Sequence, residues 1–225
     1  MCLNDHHLEN IKALGYIPVG LGKNYFRPDW IRDYKGNNIS KKNQNYGEYT
    51  FYYWFWKNEL NKFSNNEWVG FSGYRYHWSN QNQIKSDELN RIINEKNFSS
   101  HILKEPNLNW ENHEVILGDP IFVNEKYKLS KIFKKGLKIL SKNIYAFKKE
   151  NRNIKLQFDV FHGEGLLEKA IDLLDENEKK DFLYYVNNSY SFNRENLFIC
   201  RSKKLMDAYF TSVFSWLERC ESIFG

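Results

Sequence analysis

The sequence has little of what several protein classes require. Its 225 residues include 3 cysteines, with no CxxC pair and no Cys/His ligand spacing, which indicates neither a disulfide framework nor a zinc knuckle. Proline (4) and glycine (12) are too sparse for a low-complexity or disordered chain. The longest wholly apolar run, Phe51–Trp56, is too short to span a bilayer, and the first residues do not have the pattern of a signal peptide. We therefore expect a cytoplasmic protein.

The familiar catalytic signatures are missing as well. The sequence has no GxGxxG, GxxxxGK[ST], HExxH or GxSxG pattern. A Rossmann dehydrogenase, a P-loop enzyme, a zincin and a serine hydrolase therefore all lack support. An Asp-x-Asp pair is also missing, and the nearest acidic candidate is Asp119. We predict no metal ligands, and the sequence leaves metal dependence open.

What the chain has in abundance is aromatic rings. Aromatic residues make up 17% of it and hydrophobic residues 41%, enough for one sizeable core, and we predict a single domain over residues 1–225. The net charge of +5 suits an anionic ligand or an acidic membrane surface. RNA binding through the lysine-rich stretch 131–149 is disfavoured, because lysine at helical spacing is typical of a solvated helix face. We expect no nucleic-acid partner.

Short apolar runs alternate with longer helical patterns, which predicts an α/β domain. The expected strands are 15–20, 67–71 and 114–117, and the expected helices are 46–60, 129–144, 165–174, 178–187 and 202–223. Ser202 is the expected N-cap of the last helix. The stripe of that helix expected to face the core consists of Leu205, Tyr209, Val213, Trp216 and Leu217.

Three polar segments are candidates for chemistry. The first is residues 36–48, where Asn38, Ser40, Lys41 and Asn43 precede the aromatic helix. The unpaired N–H groups at a helix N-terminus favour an anion, so this loop suits a diphosphate or sugar hydroxyls. The alternative is a solvated loop whose asparagines and serine only form turns and caps.

The second segment is residues 69–78, where Tyr74 and Arg75 follow a short apolar strand. Ligands of open α/β sheets bind at the carboxyl ends of strands, and a guanidinium beside aromatic rings can pair with phosphate while the rings stack on a base or sugar. The alternative is that Arg75 pairs with a core carboxylate and that His77 is an ordinary histidine.

The third segment is residues 155–165, which brings Asp159, His162 and Glu164 close together just before a helix. Titratable groups between two glycines are the kind of cluster that supplies a general base or a metal ligand. The alternative is a loop that caps the following helix.

Several separated motifs together resemble one known family. They are residues 38–43 (NISKKN), 46–58 (YGEYTFYYWFWKN), 68–76 (WVGFSGYRY), 158–171 (FDVFHGEGLLEKAI) and 193–204 (NRENLFICRSKK). Their order and spacing resemble the bacterial capsular-polysaccharide biosynthesis proteins, a family of GT-A-like glycosyltransferases long catalogued as a domain of unknown function. The resemblance covers nearly the whole chain.

The resemblance implies an α/β fold with a GT-A-like, Rossmann-type sheet flanked by helices. It implies transfer of a sugar from a nucleotide-sugar donor, a UDP-sugar being expected, to a capsular or other surface polysaccharide. It also implies peripheral association with the inner face of the cytoplasmic membrane. The donor-binding residues would be Asn38, Ser40, Lys41, Asn43, Glu48, Tyr74 and Arg75. Asp159 or Glu164 would be the catalytic base, and His162 would orient it or take its place.

The chain departs from the family pattern in two places. Where the family has His-Tyr-Arg-Arg, this sequence has Gly73-Tyr-Arg-Tyr76, and where the family has Cys-Glu it has Gly47-Glu48. Both ends are also expected to be short relative to the family. The alternative function is therefore a non-catalytic protein, degenerate or truncated, that binds a glycan or assembles with a transferase. The sequence leaves the donor sugar, acceptor, linkage and oligomeric state open.

Overall fold

The computed structural model describes residues 1–80, 97–124, 136–142, 145, 147–193 and 195–225. The chain forms two compact units. Unit 1 contains residues 1–118 and 196–214, and unit 2 contains residues 119–195 and 215–225. The single domain expected from the sequence stays a prediction. All three cysteines are free, as the sequence indicates, and Cys2 and Cys200 are buried.

Helices and short strands alternate along the described chain. The α-helices are α1 (Leu8–Ala13), α2 (Asn43–Tyr46), α3 (Tyr49–Asn58), α4 (Phe98–His101), α5 (Leu137–Lys142), α6 (Ile154–His162), α7 (Leu166–Ile171), α8 (Glu176–Asn188) and α9 (Lys203–Phe224). The strands are β1 (Val19–Gly20), β2 (Ile31–Arg32), β3 (Val69–Gly70), β4 (Val115–Leu117), β5 (Pro120–Phe122), β6 (Ser191–Asn193) and β7 (Phe198–Cys200). Single 3-10 turns lie at Asp5–His7, Ser40–Lys42, Leu60–Lys62, Leu108–Trp110 and Lys149–Asn151.

The strands pair in three small sheets, so the mixed α/β class is confirmed. In unit 1, β1 and β2 are parallel, with Val19 opposite Ile31. Strand β7 lies between β3 and β4 and is antiparallel to both. In unit 2, β5 and β6 are antiparallel, with Ile121 opposite Phe192.

The predicted elements are largely those of the structure. Strands β1, β3 and β4 lie within the expected segments, and α3, α7, α8 and α9 coincide with four expected helices apart from a few residues at their ends. The helix expected over 129–144 lies partly outside the described residues; its described part is α5. The lysine-rich stretch 131–149, which was weighed for RNA binding, also lies partly outside the described residues.

The core of unit 1 is a cluster of aromatic rings between α3, β7 and α9. The side chains of Tyr52 and Phe210 are fully buried. The ring of Tyr52 lies 4.9 Å from that of Phe71 and 6.0 Å from that of Phe210. The buried hydroxyl of Tyr52 donates a hydrogen bond of 2.5 Å to the backbone oxygen of Asn196, as buried tyrosines require. This cluster explains the aromatic run of α3.

The last helix begins as predicted but buries a different stripe. The hydroxyl of Ser202 accepts a hydrogen bond of 3.3 Å from the backbone N–H of Leu205, which is the expected N-cap contact. The buried residues are Met206, Phe210 and Phe214, however, and the predicted Leu205 and Tyr209 are exposed. The prediction was wrong for Leu205 and Tyr209, because two adjacent stripes of this helix are both apolar and helical spacing alone does not choose between them. The predicted Trp216 is half-buried, with its ring 6.0 Å from that of Phe182.

Unit 2 has a smaller core, formed by Leu167, Ile171 and Val186. Helix α6, which packs against it, begins where the side-chain oxygen of Asn153 accepts a hydrogen bond of 2.8 Å from the N–H of Leu156. Within the same unit, the indole N–H of Trp216 donates to the backbone oxygen of Ala170 at 2.6 Å. Among the described residues, none of the helices has both the length and the apolar composition for a membrane crossing.

Candidate functional site

The first predicted loop of unit 1 is held by its own side chains. The amide nitrogen of Asn38 donates to the backbone oxygens of Tyr34 and Gly36 at 3.0 and 2.8 Å. Its amide oxygen accepts hydrogen bonds from the hydroxyl and the N–H of Ser40, at 2.8 and 3.2 Å. Asn38 and Ser40 therefore satisfy one another and fix the loop, which is the turn-forming role that the sequence left open as the alternative.

Of the remaining predicted residues of this loop, two form hydrogen bonds within the protein and one is exposed. The amide nitrogen of Asn43 donates to the backbone oxygen of Gly47 at 2.8 Å and to the hydroxyl of Thr50 at 3.1 Å. Glu48 accepts a hydrogen bond of 3.0 Å from the side chain of Asn196. Lys41 is exposed and forms no ion pair within the described chain. Of the predicted donor-binding residues in this loop, Lys41 keeps its charge accessible.

Tyr74 and Arg75 lie on a tight turn after β3. The turn is closed by hydrogen bonds of 3.1 Å from the N–H of Gly73 and the hydroxyl of Ser72 to the backbone oxygen of Tyr76. Both predicted residues are exposed, and the guanidinium of Arg75 lies 5.0 Å from the centre of the Tyr74 ring. Arg75 forms no ion pair with a described carboxylate. The guanidinium of Arg75 is therefore accessible to an anion from solvent.

Unit 2 contains a pocket of about 320 Å³ that combines both signs of charge with amides. It is lined by Ile139, Lys142, Asn151, Asn153, Lys155, Leu156, Asp159 and Glu164. Two lysines, two carboxylates and two amides thus face one space. Such a lining offers both donors and acceptors, which is what a polyhydroxylated ligand requires.

Asp159 is the most constrained of the pocket residues. It lies on α6, not in a loop, and only 7% of it is exposed. One carboxylate oxygen accepts a hydrogen bond of 2.6 Å from the ammonium of Lys155, and the other accepts one of 3.2 Å from the N–H of Gly165. Gly165 precedes α7 with a left-handed φ of +80°. Asp159 therefore fixes the start of the following helix, and both of its oxygens are engaged.

Lys155 connects two carboxylates. Besides Asp159, its ammonium lies 2.6 Å from a carboxylate oxygen of Glu168. Burial alone would lower the pKa of Lys155, but the hydrogen bonds to Asp159 and Glu168 outweigh it and raise that pKa. Lys155 is therefore held as an ammonium. The second oxygen of Glu168 is buried without a hydrogen-bond partner among the described residues.

Glu164 is the accessible carboxylate of the pocket. Its carboxylate lies 2.7 Å from the ammonium of Lys142, and 40% of its side chain is exposed. His162 is exposed on the last turn of α6, with its ring 4.6 Å from that of Phe158, and it does not line the pocket. The structure thus brings together Asp159 and Glu164 of the three predicted catalytic residues.

The sequence analysis missed the two lysines of the pocket. Lys155 stands four positions before Asp159, the spacing that places both on one helix face, so a signal for it was present. Lys142 lies 22 residues from Glu164, and no local pattern connects the two. Within the described ranges, no group of three or more histidine, cysteine, aspartate or glutamate side chains is arranged to hold a metal ion.

Comparison with known proteins gives a family and one distant structure. The family model described as "Domain of unknown function (DUF4422)" matches residues 3–224, so the chain belongs to that family. Among solved structures, the apo structure of WbbM, a bifunctional glycosyltransferase, matches with 20% identity and a TM-score of 0.43. That match covers 86% of this chain and 31% of the WbbM chain. No curated protein matches.

Proposed function

We propose that this member of the DUF4422 family is a glycosyltransferase that moves a sugar from a nucleotide-sugar donor onto a capsular or other surface polysaccharide. The observation that carries the proposal is the pocket of unit 2, in which two carboxylates predicted from the sequence motifs, Asp159 and Glu164, meet two lysines and two amides. Its volume of about 320 Å³ falls in the range of small-ligand pockets. A GT-A-like arrangement and action at the inner face of the cytoplasmic membrane belong to the same proposal.

Glu164 is the proposed catalytic base. A transferase that inverts the sugar must remove the proton of the acceptor hydroxyl while the hydroxyl oxygen attacks the anomeric carbon and the bond to the diphosphate breaks. Glu164 is the exposed carboxylate of the pocket, and Lys142 at 2.7 Å holds it in one orientation. Asp159, whose two oxygens already accept hydrogen bonds, is a positioning residue that fixes the turn carrying Glu164.

A separate proposal concerns unit 1, where Arg75 and Lys41 are the proposed partners of the donor diphosphate. The departing nucleoside diphosphate carries the charge that develops in the reaction, and cationic side chains stabilise it. Both residues are exposed, and neither pairs with a described carboxylate. The ring of Tyr74, 5.0 Å from the Arg75 guanidinium, offers a flat face for a base or a sugar. A UDP-sugar is the proposed donor.

Donor binding is tested by thermal shift and ligand-observed NMR against UDP-, GDP-, CMP- and dTDP-sugars, with and without manganese. One nucleotide class is expected to raise the melting temperature, because a ligand that binds only the folded state stabilises it. Arg75→Ala should abolish this shift. Arg27→Ala, which removes another exposed arginine, should retain it. Equal loss in both variants would contradict the role of Arg75.

Catalysis is tested with Glu164→Gln. This change keeps the shape of the side chain and removes its basicity, so turnover of the donor is expected to fall by about 10²–10⁴-fold while the donor-induced thermal shift is retained. Glu176→Gln, on the exposed first turn of α8, is the matched control and should leave turnover unchanged. An active Glu164→Gln enzyme would remove Glu164 from the mechanism.

The competing proposal is a non-catalytic glycan-binding protein. It is favoured by the replacement of the family's His and second Arg with Gly73 and Tyr76, and by the pairing of each pocket carboxylate with a lysine. It predicts acceptor binding without donor-dependent turnover. A folded protein that binds oligosaccharide but responds to no nucleotide sugar would decide for this function.

A further inference from the structure

Unit 1 contains a larger cavity, whose lining includes Tyr74 of the turn after β3. Its volume is about 650 Å³. Its buried lining includes the side chains of Leu14, Val19, Phe51, Phe55, Phe71 and Ile199. For comparison, an apolar cavity of roughly 150 Å³ stays dry and takes up one benzene molecule. This cavity has room for an apolar group about four times as large.

Three polar side chains of the lining are hydrogen-bonded to backbone oxygens. The indole N–H of Trp54 donates to the backbone oxygen of Lys35, and that of Trp78 to the oxygen of Phe71, both at 2.7 Å. The hydroxyl of Tyr16 donates to the oxygen of Leu103 at 2.6 Å.

The one thiol in the lining also stays uncharged. Burial raises the pKa of Cys2, which keeps it neutral at physiological pH. A ligand beside the buried part of the lining therefore meets mainly carbon atoms. A nucleobase would leave its own donors and acceptors unpaired there, which is costly.

The cavity opens to solvent where its lining is exposed, and that part includes ionisable side chains. His7, Lys104 and Glu105 belong to the lining and are exposed to solvent. A ligand that extends from the carbon-lined interior to this opening would have an apolar body and a polar end. An amphiphile has this structure, because its apolar chain can be buried while its polar headgroup stays in water.

We propose that this cavity binds the single apolar chain of an amphiphilic molecule, with the headgroup at the opening beside Lys104. The inference shares Tyr74 with the proposed donor site but is argued from the buried apolar lining, and the uridine arm of the test below separates an amphiphile from a nucleoside. It assigns the aromatic side chains around the cavity a second task besides packing.

The test is binding of 1-N-phenylnaphthylamine, a neutral probe that fluoresces in apolar surroundings. Saturable binding with one site per chain is expected, with displacement by dodecan-1-ol and no displacement by uridine. Leu103→Trp, which fills part of the cavity, should weaken binding by about tenfold. Leu108→Trp, five positions along but 83% exposed and outside the lining, is the matched control and should bind as the unchanged protein does.

A second variant keeps the proposal testable if Leu103→Trp does not fold. Ile11→Phe fills the cavity from α1, and it should weaken the probe in the same direction while the circular-dichroism spectrum is retained. Three results would each overturn the proposal: no saturable fluorescence, displacement by uridine instead of dodecan-1-ol, or equal weakening by Leu108→Trp. The last result would mean that the probe binds the outer surface.

Discussion

The loop 38–48 of unit 1 and the pocket of unit 2 are both rich in polar side chains and differ in how their charged groups are paired. In the loop, Asn38 and Asn43 form hydrogen bonds with backbone groups two to four residues away, and Glu48 accepts one from the distant Asn196. In the pocket, Lys155 pairs with Asp159 four positions on, and Lys142 pairs with Glu164 across 22 residues. The difference teaches that local and distant contacts occur in both regions and that ion pairs between lysines and carboxylates distinguish the pocket.

The largest effect is expected from removing a buried ring of the aromatic core of unit 1. Phe210→Ala should lower the free energy of unfolding by about 3–5 kcal/mol, because its fully buried ring packs against Tyr52, Phe198 and Phe214. Urea denaturation measures the change. Tyr184→Ala, whose side chain is 71% exposed, should stay within about 0.5 kcal/mol of the unchanged protein. Similar losses in the two variants would place the core elsewhere.

The next effect concerns the buried carboxylate of the pocket. Asp159→Ala leaves the N–H of Gly165 without its acceptor and takes one partner from Lys155, so the free energy of unfolding should fall by about 1–3 kcal/mol. The matched control is Asp172→Ala, which removes an exposed ion pair with Lys179 and should cost about 0–1 kcal/mol. If the control costs as much as Asp159→Ala, the burial of Asp159 is not what makes it stabilising.

A smaller effect is expected in the loop of unit 1. Asn38→Ala removes the hydrogen bonds that hold residues 34–40 together, and we expect a loss of about 1 kcal/mol. The neighbouring Asn37→Ala removes an exposed amide and should be nearly neutral. For both variants, chemical denaturation measures the free energy of unfolding, and the donor-induced thermal shift measures donor binding. A donor shift that disappears in a stable Asn38→Ala protein would mean that the amide binds the donor and does not merely hold the loop.

The smallest effect is a pH dependence of the Lys155 contacts. Burial opposes the charge of Lys155, but its hydrogen bonds to Asp159 and Glu168 raise its pKa above the ordinary value of 10.5. A lysine with a raised pKa in the folded state contributes stability that is complete below its ordinary pKa and is lost as the pH rises through the folded pKa. The difference in unfolding free energy between the unchanged protein and Lys155→Met should therefore shrink above pH 10.5.

Local signals made much of the fold predictable. Ser202 marked the start of the last helix, and alternating short strands and helices marked the α/β class. The same sequence could not choose between the stripes containing Tyr209 and Phe210, because the choice depends on Tyr52 and Phe198, which lie far away along the chain. Helical spacing identifies a helix more securely than it identifies the buried face of an aromatic helix.

The carboxylates of the candidate site were predictable from the sequence, and its lysines only in part. Asp159 and Glu164 stood out because titratable residues between glycines are unusual. Their different environments followed only from the structure: Asp159 is buried and doubly hydrogen-bonded, and the side chain of Glu164 is 40% exposed. Lys142 carried no sequence signal, because an ion pair between distant segments depends on the tertiary fold. The distinction between a buried carboxylate and an accessible one is therefore a property of packing.

The central position of β7 has a consequence for synthesis on the ribosome. Its neighbours β3 and β4 end at Gly70 and Leu117, whereas β7 begins at Phe198. At about 5–20 residues per second, the intervening chain takes several seconds to make. During that time β3 and β4 have emerged without the strand that joins them. Unit 1 is thus exposed to misassembly while unit 2 is being translated, and chaperones are expected to bind the nascent chain in that interval.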